Sequence, residues 1–358
     1  MPVVRKRKFV EVSNANASES FPSDFGHKLK HPKIGNLNGQ LTNSILNSMV
    51  MIPISEMPWL ASAGCRWSEV NWSCAYDSVF MSLYEVYATI GFHFHEDFCS
   101  ASPTANMLGH SFQTLLDSSS CTTAMFDQYR DKLRDELSSK NPDQFPCFGR
   151  HGASVYDILN VLFPSSGCQL IIVPYCHNGC LSTNLVVNAK FPSTVSEVSN
   201  TIPLTLNQYV TNFLHYTSQN LSLRVMHSMT CAQCNMRLTT SLAFVNSPPV
   251  LFLEVLMKAG SSLSGILPSW HIEVPSPPYT SSKKCYRLTG VIYFGCFHFT
   301  SQLISENDSV WKYDGQSNNG VPIFEFTTLR SDSELLRFLT LDSRKAHIYV
   351  YCITVTGG

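Results

Sequence analysis

Two short segments carry the residue types that could do chemistry. Asn71-Trp-Ser-Cys74-Ala-Tyr-Asp77-Ser runs into an apolar helical pattern. Far downstream, Tyr293-Phe-Gly-Cys-Phe-His298-Phe-Thr-Ser301 is followed by Trp311-Lys-Tyr313-Asp314-Gly315. A cysteine opening a helix, a histidine in a strand and a carboxylate shortly after it are the parts of nucleophilic acyl transfer through a thiolate. The helix N-terminus and a nearby imidazole would stabilise the thiolate, and a carboxylate would fix the imidazole tautomer. Such groups must meet in space, so their distance in sequence is no objection.

The elements needed to position them are legible. Val79, Leu83, Val86 and Ile90 recur at spacings of three and four, which predicts a helix from Cys74 to Ile90 with Ser73 as its N-cap. Its first backbone N–H groups would be free for an oxyanion, and its dipole would lower the thiol pKa. Further helices are expected around 112–115, 125–137 and 154–162, the last capped by Ser154 and stopped by Pro164. Beyond that the pattern becomes strand-like at 169–173, 221–226, 238–245, 250–255, 271–274, 286–300, 309–313 and 347–355. Helices first and strands second predict an α+β fold. The strand bearing His298, a short loop and a second strand ending in Asp314 would form a hairpin that sets the carboxylate against the imidazole.

The chain has 358 residues with 44% hydrophobic and 14% charged, enough to bury a substantial core. A net charge of −1 argues against nucleic-acid binding, and the absence of a long uncharged apolar run argues against a membrane span. Thirteen irregularly spaced cysteines without an apolar leader predict reduced thiols in an intracellular, nuclear or cytoplasmic protein. Residues 1–50 are polar and Ser/Asn-rich and read as a disordered basic tail. Its Arg5-Lys-Arg-Lys8 run reads either as a nuclear import signal or as a solvated tail. The terminal Gly357-Gly358 pair reads as a short flexible end.

Together the segments resemble the ubiquitin-specific protease superfamily of papain-like cysteine peptidases. Ser73-Cys74-Ala-Tyr76-Asp77-Ser78 is similar to the family's Cys box, and Tyr286-Arg-Leu288, Val291-Ile-Tyr293, Phe297-His298-Phe-Thr-Ser301 and Trp311-Lys-Tyr313-Asp314 to its His box. The resemblance spans about 51–358 and implies a helical thumb (51–165), β-rich fingers (166–247) and a palm (248–358). It implies Cys74 as nucleophile, His298 as base and then acid, and Asp314 as its orienter. The activity implied is removal of ubiquitin or a SUMO-like modifier from protein conjugates, with an inactive modifier-binding scaffold as the alternative.

Departures are specific. Asp77 stands where the family has Asn, and an acidic residue there resembles the SUMO-isopeptidase branch. Phe297 replaces the Gly before the histidine. Glu69 occupies the place of the oxyanion-assisting Asn, which leaves Asn71 as the candidate for that role. Thr230-Cys231-Ala-Gln-Cys234 looks like the zinc knuckle of the fingers. One Cys-x-x-Cys pair is half of a structural zinc site, and Cys176 and Cys180 are the expected partners, with His177 or His227 as substitutes.

Overall fold

The computed structural model describes residues 63–90, 95–148, 152–164, 169–176, 178, 180, 185–190, 194–196, 204–214, 230–244, 248–256, 266–274 and 284–354. The expected tail, the strand at 221–226, His177, His227 and the terminal glycines lie outside these residues.

Five helices come first: α1 (Cys74–Thr89), α2 (His95–Ser100), α3 (Pro103–Asp117), α4 (Thr123–Lys140) and α5 (Val155–Leu162). Ser102, Thr122 and Ser154 cap α3, α4 and α5, each accepting a backbone N–H from inside its first turn. Ser73 does not behave so. It has helical φ and ψ and makes no cap hydrogen bond. Its hydroxyl accepts from the Ser68 N–H and donates to the Asp77 carboxylate, both at 2.8 Å. From Cys74 to Tyr87 every residue of α1 is buried, so this helix runs through the centre of the protein.

The strands follow: β1 (Gln169–Tyr175), β2 (Leu185–Lys190), β3 (Thr194–Ser196), β4 (Leu204–Thr205), β5 (Thr239–Phe244), β6 (Val250–Leu256) and β7 (Ile266–Leu267). After them come β8 (His271–Val274), β9 (Lys284–Gly295), β10 (His298–Ile304), β11 (Ser309–Tyr313), β12 (Ile323–Thr327), β13 (Thr340–Leu341) and β14 (Arg344–Thr354). A further helix occupies 206–214. The principal sheet has the order β12-β11-β10-β9-β14-β6-β3, with β8 added to β9 and β13 to β14. It is antiparallel except where β3 meets β6. A smaller sheet has the order β2-β1-β5.

Period-two alternation explains why the principal sheet is buried on both faces. Val250, Phe252, Ile348, Val350 and Cys352 join the core under α1–α5. Their neighbours Leu251, Leu253, Tyr349, Tyr351 and Ile353 join a second core with Leu206, Val210 and Trp270. The α+β reading holds. Among the expected elements one differs: 286–300 is not a single strand but the hairpin of β9 and β10, while α2, β2, β3, β4, β7, β12, β13 and the 206–214 helix are not among those expected. Gly295 pairs with His298 across a two-residue turn in which Cys296 and Phe297 have φ of 52° and 58°. Two consecutive left-handed residues define the turn type whose twist suits a hairpin, but neither residue is a usual turn former, so the sequence hides it.

Candidate active site and metal centre

The turn before α1 sets up the thiol. Asn71 and Ser73 donate their backbone N–H groups to the Ser68 carbonyl, and Trp72 adopts φ 47°. Cys74 is then the first helical residue and is 7% exposed. Burial pushes its thiol up to about 11. The backbone N–H of Phe299 opposes this change, the Asp77 carboxylate adds to it, and the Ala75 N–H opposes it. The expected lowering at a helix N-terminus is therefore outweighed by desolvation. The contact with Phe299 brings the nucleophile candidate to the start of β10, beside His298.

His298 opens β10 and is buried. Its Nε2 lies 2.8 Å from Asp314 Oδ1. The β10–β11 ladder pairs Ser301 with Tyr313, which carries the residue after β11 back towards the start of β10. Asp314 Oδ1 also accepts the Gln316 N–H at 3.0 Å. Although burial opposes it, the hydrogen bonds from His298 and Gln316 hold the Asp314 carboxyl below its ordinary range. With Nε2–H given to the carboxylate, Nδ1 is the nitrogen left for a thiol proton. The Trp67 ring meets the imidazole edge to face, with centroids 6.3 Å apart at 87°.

The structure thus brings Cys74, His298 and Asp314 to one junction of α1, β10 and the end of β11. Asn71 sits three residues before Cys74, with its Oδ1 buried and without a hydrogen-bond partner among the described residues. Sequence reasoning missed Trp67 and the fate of Asp77. Asp77 is buried and ion-paired to Arg130 of α4. A carboxylate on the inward face of a helix demands a cation, but nothing local says which one.

Cys176, Cys180, Cys231 and Cys234 come together, with all four Sγ atoms within 4.8 Å of one another. Cys176 directly follows β1, and the Cys231–Cys234 turn leads into β5, which pairs with β1 through Tyr175 and Thr239. That turn is closed by the Asn235 N–H on the Cys231 carbonyl and the Cys231 N–H on the Met236 carbonyl, both at 2.8 Å. Four thiolates converging on one point suit a tetrahedral ion, and the set can hold a structural zinc. The expected ligands are the ones the structure clusters.

No protein-family model and no curated protein matches the chain. Among solved structures it is similar to the SAGA DUB module of Ubp8, Sgf11, Sus1 and Sgf73 bound to monoubiquitin, at 14% identity and TM-score 0.44, over 87% of this chain and 73% of that one. It is also similar to the module bound to ubiquitin aldehyde, at 13% identity and TM-score 0.42, over 80% and 69%. A yeast SAGA DUBm with a mutant Sgf73 gives 13% and 0.36, over 80% and 68%. These likenesses are too distant to assign a residue or an activity. No helix among the described residues is long and apolar enough to cross a membrane.

Proposed function

We propose that this chain is a thiol isopeptidase that removes ubiquitin or a SUMO-like modifier from protein conjugates, cleaving after the modifier's C-terminal Gly-Gly. The observation that carries the reading is the junction itself: Cys74 at the first position of a buried helix, its thiol near the backbone of Phe299, and His298 braced by Asp314 at 2.8 Å. The Cys and His boxes supply the substrate class, ubiquitin or a SUMO-like modifier, and the likeness of Asp77 to the SUMO-isopeptidase branch does not choose between the two. On this reading 51–165 is the thumb, 166–247 the fingers and 248–358 the palm. A nuclear or cytoplasmic site of action fits the basic run near Arg5.

The chemistry follows from the groups present. His298 Nδ1 takes the Cys74 proton, and the thiolate attacks the carbonyl of the terminal glycine. Because burial disfavours the free thiolate, the imidazolium that forms with it is the necessary counter-charge, and Asp314 stabilises that imidazolium. The oxyanion would meet the N–H groups that open α1 and the Asn71 side chain. His298 then protonates the leaving lysine amine. The bond between the carbonyl carbon and that nitrogen breaks, leaving a thioester on Cys74. Water, deprotonated by His298, hydrolyses the thioester and frees the modifier.

The test is incubation of the protein with ubiquitin and with SUMO carrying C-terminal thiol-reactive warheads. A covalent mass increase with either, lost in Cys74→Ala, is the expected result. A folded protein giving no adduct with either modifier would overturn the reading. The altered flanks of the two boxes, Asp77 after Cys74 and Phe297 before His298, favour a second reading, a modifier-binding scaffold without turnover. That reading predicts binding without an adduct.

A further inference from the structure

We infer that Arg130 is a positioning residue for the thiol chemistry, and the inference rests on Cys74 being the nucleophile. Arg130 lies on α4 and is buried, 53 positions from the helix turn it serves. Its Nη1 donates to Asp77 Oδ1 and, at 3.0 Å, to the backbone carbonyl of Arg66. Its Nε meets Asp131 Oδ1 at 2.6 Å, and its Nη2 meets Asp127 Oδ1 at 3.5 Å. One guanidinium therefore joins α1, α4 and the backbone segment at 63–67.

That segment reaches the other half of the site. The Cys65 carbonyl accepts the Tyr313 hydroxyl at 2.8 Å. The Trp67 N–H donates to the Gly315 carbonyl at 3.0 Å, and the Trp67 ring abuts His298. Gly315 itself is seated against the ion pair. A Cβ at Gly315 would stand 3.0 Å from the Trp67 nitrogen and 3.1 Å from Asp77 Oδ2. Asp77 is three residues from Cys74, and Gly315 is next to Asp314. The relative position of the helix carrying the thiol and the turn carrying the carboxylate thus passes through Arg130, Asp77 and the 65–67 backbone. Neither partner touches the reacting atoms, so beyond the charge by which Asp77 raises the thiol their contribution is alignment.

Alignment and mere charge burial are separable. Removing Arg130 alone strands a buried carboxylate and costs stability whatever its role. Removing both charges, in Asp77→Asn with Arg130→Met, repairs that fault but leaves the Arg66 carbonyl without its donor and cuts the tie from α4 through Arg130 to α1, while the Asp127 bond to the Arg66 N–H stays. The experiment measures adduct formation with a warhead-bearing modifier at saturation, alongside modifier affinity in a Cys74→Ala background and the thermal midpoint. The double variant is expected to melt near wild type, to bind the modifier within about threefold, and to form adduct about thirtyfold more slowly, since small misplacements of reacting groups cost factors of this order. Arg130→Lys keeps the charge but not the fork and is expected to fold and to react about tenfold more slowly. Adduct formation within about threefold of wild type in either folded variant overturns the inference. A wild-type protein that forms no adduct with either modifier overturns the proposed activity instead, and the role of Arg130 falls with it before any variant is examined.

Discussion

His298 donates through Nε2 to Asp314 Oδ1 at 2.8 Å, with both groups buried at the joint between two neighbouring strands. The carboxylate can only fix the tautomer that leaves Nδ1 bare. In Asp314→Asn the amide can present its NH2 to the ring and select the other tautomer with little change of shape. Turnover of a modifier conjugate is expected to fall at least a hundredfold, with affinity for the modifier unchanged. Equal turnover in the variant would mean that His298 needs no orienter. The same bond sets an acid limit. A carboxyl held below its ordinary range adds stability above its unfolded pKa, near 3.9, and that stability is lost as pH falls through the depressed folded value. Thermal melts should therefore show wild type losing its advantage over Asp314→Asn below about pH 4.

Glu85 predicts a dependence of opposite sign. It lies on α1, 2% exposed, with Oε1 accepting from Thr89 at 3.2 Å and Oε2 without a partner among the described residues. Burial pushes its carboxyl up to about 7, against smaller opposing pulls from Thr89 and Arg287. A raised folded pKa gives stability that is full below the unfolded value near 4.3 and is lost as pH rises through 7. Glu85→Gln removes the cost of ionising the group and should stabilise the protein above pH 8 by up to about 3 kcal/mol, because each tenfold change in proton affinity is worth ~1.4 kcal/mol. Denaturant melts of both proteins between pH 6 and 9 decide the matter, and parallel curves would refute it.

How much of this was written in the sequence differs from feature to feature. The three-four spacing of Val79, Leu83 and Val86 announced α1, and short runs of apolar, β-branched and aromatic residues announced β6, β8 and β11. These are local signals that the core later reinforces. The turn at Cys296 and Phe297 was not legible, because its residues carry no turn chemistry. The left-handed backbone there is imposed by the ladders on either side. Ser73 looked like a cap, yet its hydroxyl is claimed by Ser68 and Asp77. The Asp77–Arg130 pair joins elements far apart in the chain, and no local pattern selects the partner. Strands as short as β4 and β7 exist only because each pairs with the other.

The four-cysteine cluster makes a quantitative claim about metal. Protein prepared without chelator should carry close to one zinc per chain, and Cys234→Ser should lose most of it. Less than about half an equivalent in wild type would end the idea. Because the site ties the end of β1 to the turn before β5, metal removal should also lower the thermal midpoint. A fall of at least about 5 °C corresponds to a loss of ~3 kcal/mol in a domain of this size.

Phe297 is 85% exposed and held at φ 58°, immediately before His298. For a residue with a Cβ, this backbone conformation costs roughly 1–2 kcal/mol, whereas glycine adopts it freely. The exposed ring offers little burial in return. Phe297→Gly should therefore raise stability, but by less than this cost, because glycine also gives the unfolded chain more freedom. A gain of about 0.5 kcal/mol in denaturant melts is the expected outcome, and a loss of stability would show that the ring is packed in solution. The substitution leaves Asp314, Cys74 and the β9–β10 register untouched, so Cys74 should react with a small alkylating agent at the wild-type rate. Slower alkylation in a better-folded protein would mean that the strained turn, and not β10 alone, fixes the imidazole beside the thiol.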